Sequence, residues 1–598
     1  MNLSHCLRLV AALLPAALAH PFTATAQPED SALVVISERI TRLMNKPGVS
    51  IGIAVQSEFS SSNIGMHNPD TLYTRESEAF TQGDLLFVGR PVESIAASAV
   101  LRLRSDWASF YSHPVDEITT RWVSVDGAAG DFLDFHIGDY RSAYTPFTIG
   151  ISHPRFYGEP FFMRDQRRRE LREYFLFDDK RPFEGVNLDF HFRLPGSLEA
   201  DINAQGARLA SVDGIDSKIF DRTAFDRLMT ATRPQVAWGD RLEASYNGLA
   251  IFDLDATNYN NDQYALSNTV NGGTVALKFG AGALAPFIDA TRFDVELNRS
   301  RWKKSWAGND TALDRFSESL TGDALKAGAT ITLGAGLGEL SLEYLDVAPG
   351  YRSLTAQSPS VNWAVRDAYL LNTNFERRAH FATGLYYSHF GRFATRYNTA
   401  GANIYGRSET KYNGRFSTPF MMSIYSPVDL HEQLTNLALD PVQPLGEATY
   451  DRKGVSGSLE GSPRPRLSYA LNGALLRNSD EVAFHQAGAE LEAGMASPFS
   501  FARLPWKITV GVGLSGIDGT GVVQTMQSTV VALDHTGKYT TPVRKELVIE
   551  DEHVSSSMVS AGFSAGIFGD LSLIGGAQIL DSKFDYVKIF DVFDYDPW

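Results

Sequence analysis

The chain has 598 residues, 43% of them hydrophobic, and carries a net charge of −16 from 54 Lys and Arg against 70 Asp and Glu. That acidic balance excludes a strongly basic nucleic-acid footprint, and the apolar content excludes a mainly disordered chain. Beyond the N-terminal segment no apolar run approaches the roughly 18 residues of a membrane helix, which excludes a helical membrane protein.

Residues 1–26 have the anatomy of a secretory signal peptide: one positive charge at Arg8, an apolar stretch from Leu9 to Ala19, and Ala24-Thr25-Ala26 before Gln27. The one cysteine, Cys6, lies within it. A large exported chain without disulfides fits a bacterial envelope better than an animal ectodomain. Residues 27–48 form a short N-terminal helical segment in this reading. Asp30-Ser31 caps it, Leu33, Ile36, Ile40 and Leu43 share one stripe, and Pro47-Gly48 ends it. A poorly packed terminus is the alternative.

Residues 49–180 contain further strands, beginning with Val49, Ile51, Ile53 and Val55, and then an arginine-rich stretch. The pattern alone leaves open whether 49–140 is barrel wall or a small separate domain. Arg164, Arg167, Arg168, Arg169 and Arg172 lie close together, beside Phe161, Phe162, Tyr174 and Phe175. Folded inward as a constriction, their guanidinium groups would present paired donors to carboxylate or phosphate. The other reading has them paired with Glu170, Glu173, Asp178, Asp179, Glu199 and Asp201 to brace a loop.

From 181 to 598 strict alternation dominates. Val186, Leu188, Phe190, Phe192 and Leu194 point one way, and Asn187, Asp189, His191 and Arg193 the other. Pro195-Gly196 turns the chain into Leu198, Ala200, Ile202 and Ala204, which interleave with Glu199, Asp201, Asn203 and Gln205. The same design recurs at 242–254, 293–297, 329–344, 455–475, 487–514 and 559–579. Short turns alternate with long polar connections at 213–239, 300–325, 391–450 and 516–554. That alternation predicts an all-β, transmembrane antiparallel up-and-down β-barrel of about 16 strands (range 14–18) with long external loops. Lumen-facing polar residues explain the modest hydropathy, and ladder hydrogen bonds replace cysteine as the source of stability. The tail is irregular, with Asp585 to Asp596 reading as an external loop and Pro597 unable to donate to a ladder, so an incomplete or irregular closure is expected.

Other chemistry is sparse. Asp253, Asp255, Asn258, Asn260 and Asp262 form an oxygen-rich run that is a weak calcium candidate. It lacks the glycine and terminal glutamate of a helix-loop-helix site. His380, Ser388 and His389 are near one another without a third residue at a defined spacing, so no enzyme is expected, nor any other cofactor.

Between Gly138 and Pro195 the GDY…YTPFT step, the Glu-Pro-Phe-Phe approach and the Arg-rich stretch resemble a loosely defined group of porin-like outer-membrane barrels of Gram-negative bacteria. The likeness implies an outer-membrane location and assembly by the barrel-assembly machinery. With the pattern above, it gives a channel for passive or facilitated passage of small hydrophilic or saccharide solutes, its pore lined by the five arginines with Asp189, His191, Arg193, Glu199 and Asp201. Outer-membrane lipid and a small solute are the expected partners, homo-oligomerisation is an open option, and no nucleic acid is expected. A structural or surface-interaction barrel and a soluble exported glycan-binding β-protein are the alternatives.

Overall fold

A computed structural model describes residues 48–63, 75–108, 117–150, 180–210, 226–254, 264–280, 287–306, 318–334, 337–356, 442–443, 446–464, 466–519, 521–533, 539–569 and 571–594. The strands are β1 (Gly48–Asn63), β2 (Arg75–Val92), β3 (Ile95–Ala108), β4 (Glu117–Ala129), β5 (Leu133–Ser142), β6 (Arg181–Leu194) and β7 (Leu198–Ala210). Next come β8 (Asp226–Trp238), β9 (Leu242–Leu254), β10 (Tyr264–Phe279), β11 (Ile288–Trp306), β12 (Glu318–Leu333) and β13 (Gly338–Val347). The last are β14 (Arg452–Arg464), β15 (Leu467–Arg477), β16 (Ala483–Met495), β17 (Trp506–Asp518), β18 (Val522–Leu533), β19 (Tyr539–Phe568) and β20 (Leu571–Asp594). All belong to one sheet, so β1 to β5 are continuous with the strands that follow them.

From β1 to β17 each strand pairs antiparallel with the next in sequence. The register keeps one chemistry on each face. Leu194, Leu198, Trp238, Leu242, Leu277, Phe293, Ala329 and Leu342 lie opposite one another across successive ladders. This face is apolar and open, with Leu297 57% exposed and Leu475 64% exposed. The opposite face carries Asp189, Asn203, Asn247, Asn268, Glu296 and Asn298, several of them buried. A soluble sheet would bury its apolar face, so this sheet is inside out.

The expected up-and-down barrel of about 16 strands, with only its last strand read as an incomplete or irregular closure, is corrected on two counts. Among the described residues the sheet has twenty strands, and it is not closed. Among the described residues β1 pairs with β2 alone and β20 with β19 alone. A break at 519–521 divides β17 from β18, yet both lie on the same side of β19, Asp518 opposite His553 and Val522 opposite Glu550. Twenty strands therefore fill nineteen ranks. With directions alternating over an odd number of ranks, β1 and β20 run the same way. The antiparallel ladder that ends an even meander is not open to them.

The extra length has a physical origin. Residues 516–554, expected as a long polar loop, are largely strand in β18 and β19. Of the stretch Asp585 to Asp596, expected as an external loop, the residues up to Asp594 continue β20 as far as the pair Arg544 and Asp594. Where a strand runs on past the apolar band it need not alternate, and its backbone ladder leaves no hydropathy signature.

Gly338 opens β13 with φ +111°, and a Cβ there would overlap the Glu460 carbonyl oxygen of β14. Gly338→Ala is expected to lower stability by about 1–3 kcal/mol in denaturant unfolding. Gly89→Ala, in a strand position with open space around it, should change the midpoint little.

Candidate functional site

The polar face is not empty. Three non-strand segments lie against it, 143–150 after β5, 348–356 after β13, and 442–443 with 446–450 before β14, and they contribute Tyr144, Phe147, Ile149, Tyr351, Ala356, Val442 and Ala448 to its buried cluster. Phe147, Ile149 and Tyr351 are fully buried, and the Phe147 and Tyr351 rings meet edge to face at 6.2 Å. Loops seldom go inside, because their backbone groups must then find partners.

Here the wall strands provide those partners. The Tyr144 hydroxyl donates to Asn203 Oδ1 on β7, and Arg233 on β8 donates from Nη1 to the Tyr144 carbonyl at 2.9 Å. Thr145 hydrogen-bonds the Glu296 carboxylate on β11. Asn268 on β10 brackets the second segment: its Nδ2 donates to the Arg352 carbonyl at 2.9 Å and its Oδ1 accepts from Leu354 N at 3.0 Å. Ser300 Oγ on β11 accepts from Arg352 N at 2.9 Å. Lys326 on β12 reaches Glu343 on β13 at 3.1 Å and Glu447 of the third segment at 2.6 Å.

The segments also hold one another. Tyr351 donates its hydroxyl to the Phe147 carbonyl at 2.6 Å. The Thr148 carbonyl accepts from Ser353 at 3.0 Å and from Thr355 at 2.6 Å, and Gly150 N donates to the Thr355 carbonyl at 3.2 Å. The Arg352 guanidinium lies 3.7 Å over the Tyr450 ring, joining the second segment to the third. Burial pushes the Tyr144 and Tyr351 phenols above the ordinary tyrosine range, so both remain protonated donors at neutral pH.

The sequence candidates divide. Arg164, Arg167, Arg168, Arg169 and Arg172 lie outside the described residues, as do Asp255, Asn258, Asn260 and Asp262 of the calcium run and the His380, Ser388 and His389 group. Asp253 is buried at the end of β9. Among the described residues no group of three or more His, Cys, Asp and Glu is placed to hold a metal. Asp189 accepts from Asn187 Nδ2 at 2.8 Å and also from Asn203. His191 sits between Asp201 at 2.7 Å and Asp134 at 3.3 Å. Arg193 and Glu199 are opposite one another beside the Pro195 turn, both exposed. These five residues form a charged patch near the short-turn rim.

The residues that grip the inward segments, namely Arg233, Asn268, Glu296, Ser300 and Lys326, were not singled out by sequence reasoning. As polar positions in alternating strands they look like their neighbours. Tyr144 to Thr148 did carry a signal, a loop of aromatic and hydroxyl residues in place of charged ones.

No protein-family model matches this chain and no curated relative matches it. Among solved structures it is similar to the outer membrane protein OprD from Pseudomonas aeruginosa, at 10% identity over 78% of this chain and 87% of that one, TM-score 0.35. It is similar to OccAB1 of Acinetobacter baumannii at 11% identity, 79% and 90% coverage and TM-score 0.36. A third is the outer membrane protein opdK from Pseudomonas aeruginosa, at 11% identity, 78% and 94% coverage and TM-score 0.33.

Tyr351→Phe leaves the Phe147 carbonyl buried without its donor and should cost about 1–3 kcal/mol in denaturant unfolding. Backbone amides of 147–150 should exchange faster with solvent in that variant, while those of β15 and β16 stay protected.

Proposed function

We propose that this chain is an outer-membrane channel for passive or facilitated passage of small hydrophilic or saccharide solutes. The supporting observation is the inverted polarity of the sheet. Its apolar rows, from Leu194 across to Leu342, are open to the surroundings, while its polar rows face the packed segments. Water would penalise the first arrangement and hydrocarbon would reward it. A polar wall with chain folded against it is what a hydrated, narrowed path requires. The reading makes one demand: in lipid the unpaired backbone groups of β1 and β20 need hydrogen-bond partners, because each orphan would cost several kcal/mol.

A second reading, an interaction barrel, draws on the extension at the end of the chain. Residues 544–550 of β19 have β18 on one side and β20 on the other, a three-stranded ribbon continuing beyond the β16 ladder. Such a ribbon offers contact surface at the long-loop rim.

In cell fractionation the exported protein should pellet with outer membranes and show heat-modifiable migration; recovery from the soluble periplasm would sink both readings. Refolded protein should conduct in planar bilayers, whereas silence with the loops intact favours the interaction role. Arg167, Arg168 and Arg169 replaced together by Ala should shift ion selectivity away from anions if these side chains line the path. Leu297→Arg, at the middle of β11, should cost about 2–4 kcal/mol in vesicle unfolding. Trp238→Arg, at the short-turn rim, should cost about 0–1 kcal/mol apart from its lost ring contacts.

A further inference from the structure

Three adjacent strands place oxygen-bearing side chains around Gly272. Asn247 on β9 lies opposite Gly272 on β10, which lies opposite Asn298 on β11. One pleat along, Thr274 lies opposite Glu296. All four side chains are on the polar face. The Asn298 Nδ2 donates to Glu296 Oε1 at 2.6 Å, the Thr145 hydroxyl bonds the same carboxylate, and Asn247 Nδ2 donates to Thr274 Oγ1 at 3.3 Å.

Two acceptors are left over. Asn247 Oδ1 and Asn298 Oδ1 have no hydrogen-bond partner, in residues only 0% and 1% exposed, and Glu296 beside them is 4% exposed. A buried acceptor without a partner costs about 1–3 kcal/mol, and two in one cluster next to a carboxylate point to a missing partner. Any Cβ at position 272 would overlap the Asn298 amide oxygen, so glycine is what allows that oxygen to lie over the β10 backbone. Neither nearby cation takes these oxygens: the Lys326 ammonium, opposite Glu296, is committed to Glu343 and Glu447, and Arg233 on β8 spends Nη1 on the Tyr144 carbonyl and leaves its buried Nε without a partner.

We propose that Asn247, Thr274, Glu296 and Asn298 hold a hard cation on the polar face of the sheet. Carboxylate, amide and hydroxyl oxygens are the ligands that sodium and calcium take, and a soft metal would need the thiolate or imidazole this cluster lacks. A single carboxylate neutralises one monovalent charge, which favours sodium. Because Glu296 also holds Thr145, the ion would fix the inward segment as well as the wall. The site goes beyond the channel reading and does not depend on it.

The test uses the full chain refolded in detergent micelles. Its thermal unfolding midpoint is followed in N-methyl-D-glucamine chloride, NaCl and CaCl₂ at equal ionic strength. A saturable rise with Na⁺ or Ca²⁺ over the organic cation is expected, by linkage between binding and folding. Glu296→Gln, and separately Asn247→Ala, which leaves both partners of Glu296 in place, should weaken the apparent affinity about tenfold or more, the equivalent of one lost contact of roughly 1.4 kcal/mol. Asn247→Asp adds a second carboxylate and should move the preference toward Ca²⁺ by about the same factor. Equal midpoints in all three salts would overturn the proposal and leave ordered water as the partner of the two oxygens. So would a cation response that survives in both Glu296→Gln and Asn247→Ala.

Discussion

Register is the constraint on which the sheet depends. Side chains alternate with a period of two, so a one-residue slip in any ladder would exchange the faces of a whole strand. Leu277, Phe293 and Ala329 would then meet the polar interior, and Glu296 would face outward beside Val275 and Ala327. The short connections hold the register from one rim: Pro195-Gly196 between β6 and β7, and Gly338 at the head of β13. The same alternation that lets an apolar surface exist also delivers Asn203, Asn268 and Glu296 to the other side at fixed heights.

Fixed heights matter because the inward segments are held by single side chains. A loop against a sheet face has no ladder of its own, and its backbone must be satisfied group by group. The Thr148 carbonyl takes two hydroxyl donors, from Ser353 and Thr355, although Thr148 and Thr355 are far apart in sequence. Asn268 serves both a carbonyl and an amide of the second segment. Buried networks of this kind are stiff when complete and costly when one member is lost. The polar face is therefore lined by three segments acting together, ordered by one another and by strands β7 to β12.

Much of the wall was legible in the sequence. Alternation at Val186 to Leu194 and Leu198 to Ala204 gave the hairpin, its turn and its two faces. The strands Leu242 to Leu254 and Trp506 to Leu514 were legible on the same grounds, because burial on one side imposes a period of two. Strand count was not legible, since β18 and the far ends of β19 and β20 lie where no face needs to be apolar. Nor was the interior. Glu296 and Asp294 are equivalent in the pattern, yet one grips Thr145 while the other leans over Gly328. Which polar residue meets a folded-in loop is decided by long-range geometry that a local period does not encode.

The odd number of ranks has the widest consequence. An even meander brings its first and last strands together antiparallel, and their hydrogen bonds close without further help. With nineteen ranks the edges β1 and β20 point the same way, so ordinary hairpin logic no longer disposes of them. β1 carries Val49, Ile51, Ile53 and Val55 on one face, all of them largely exposed. An apolar face of that kind is stable in hydrocarbon, but the backbone edge beside it is not. Side-chain polarity therefore favours a membrane for this sheet while its two edges set the condition on entering one, and both follow from the same run of alternating residues.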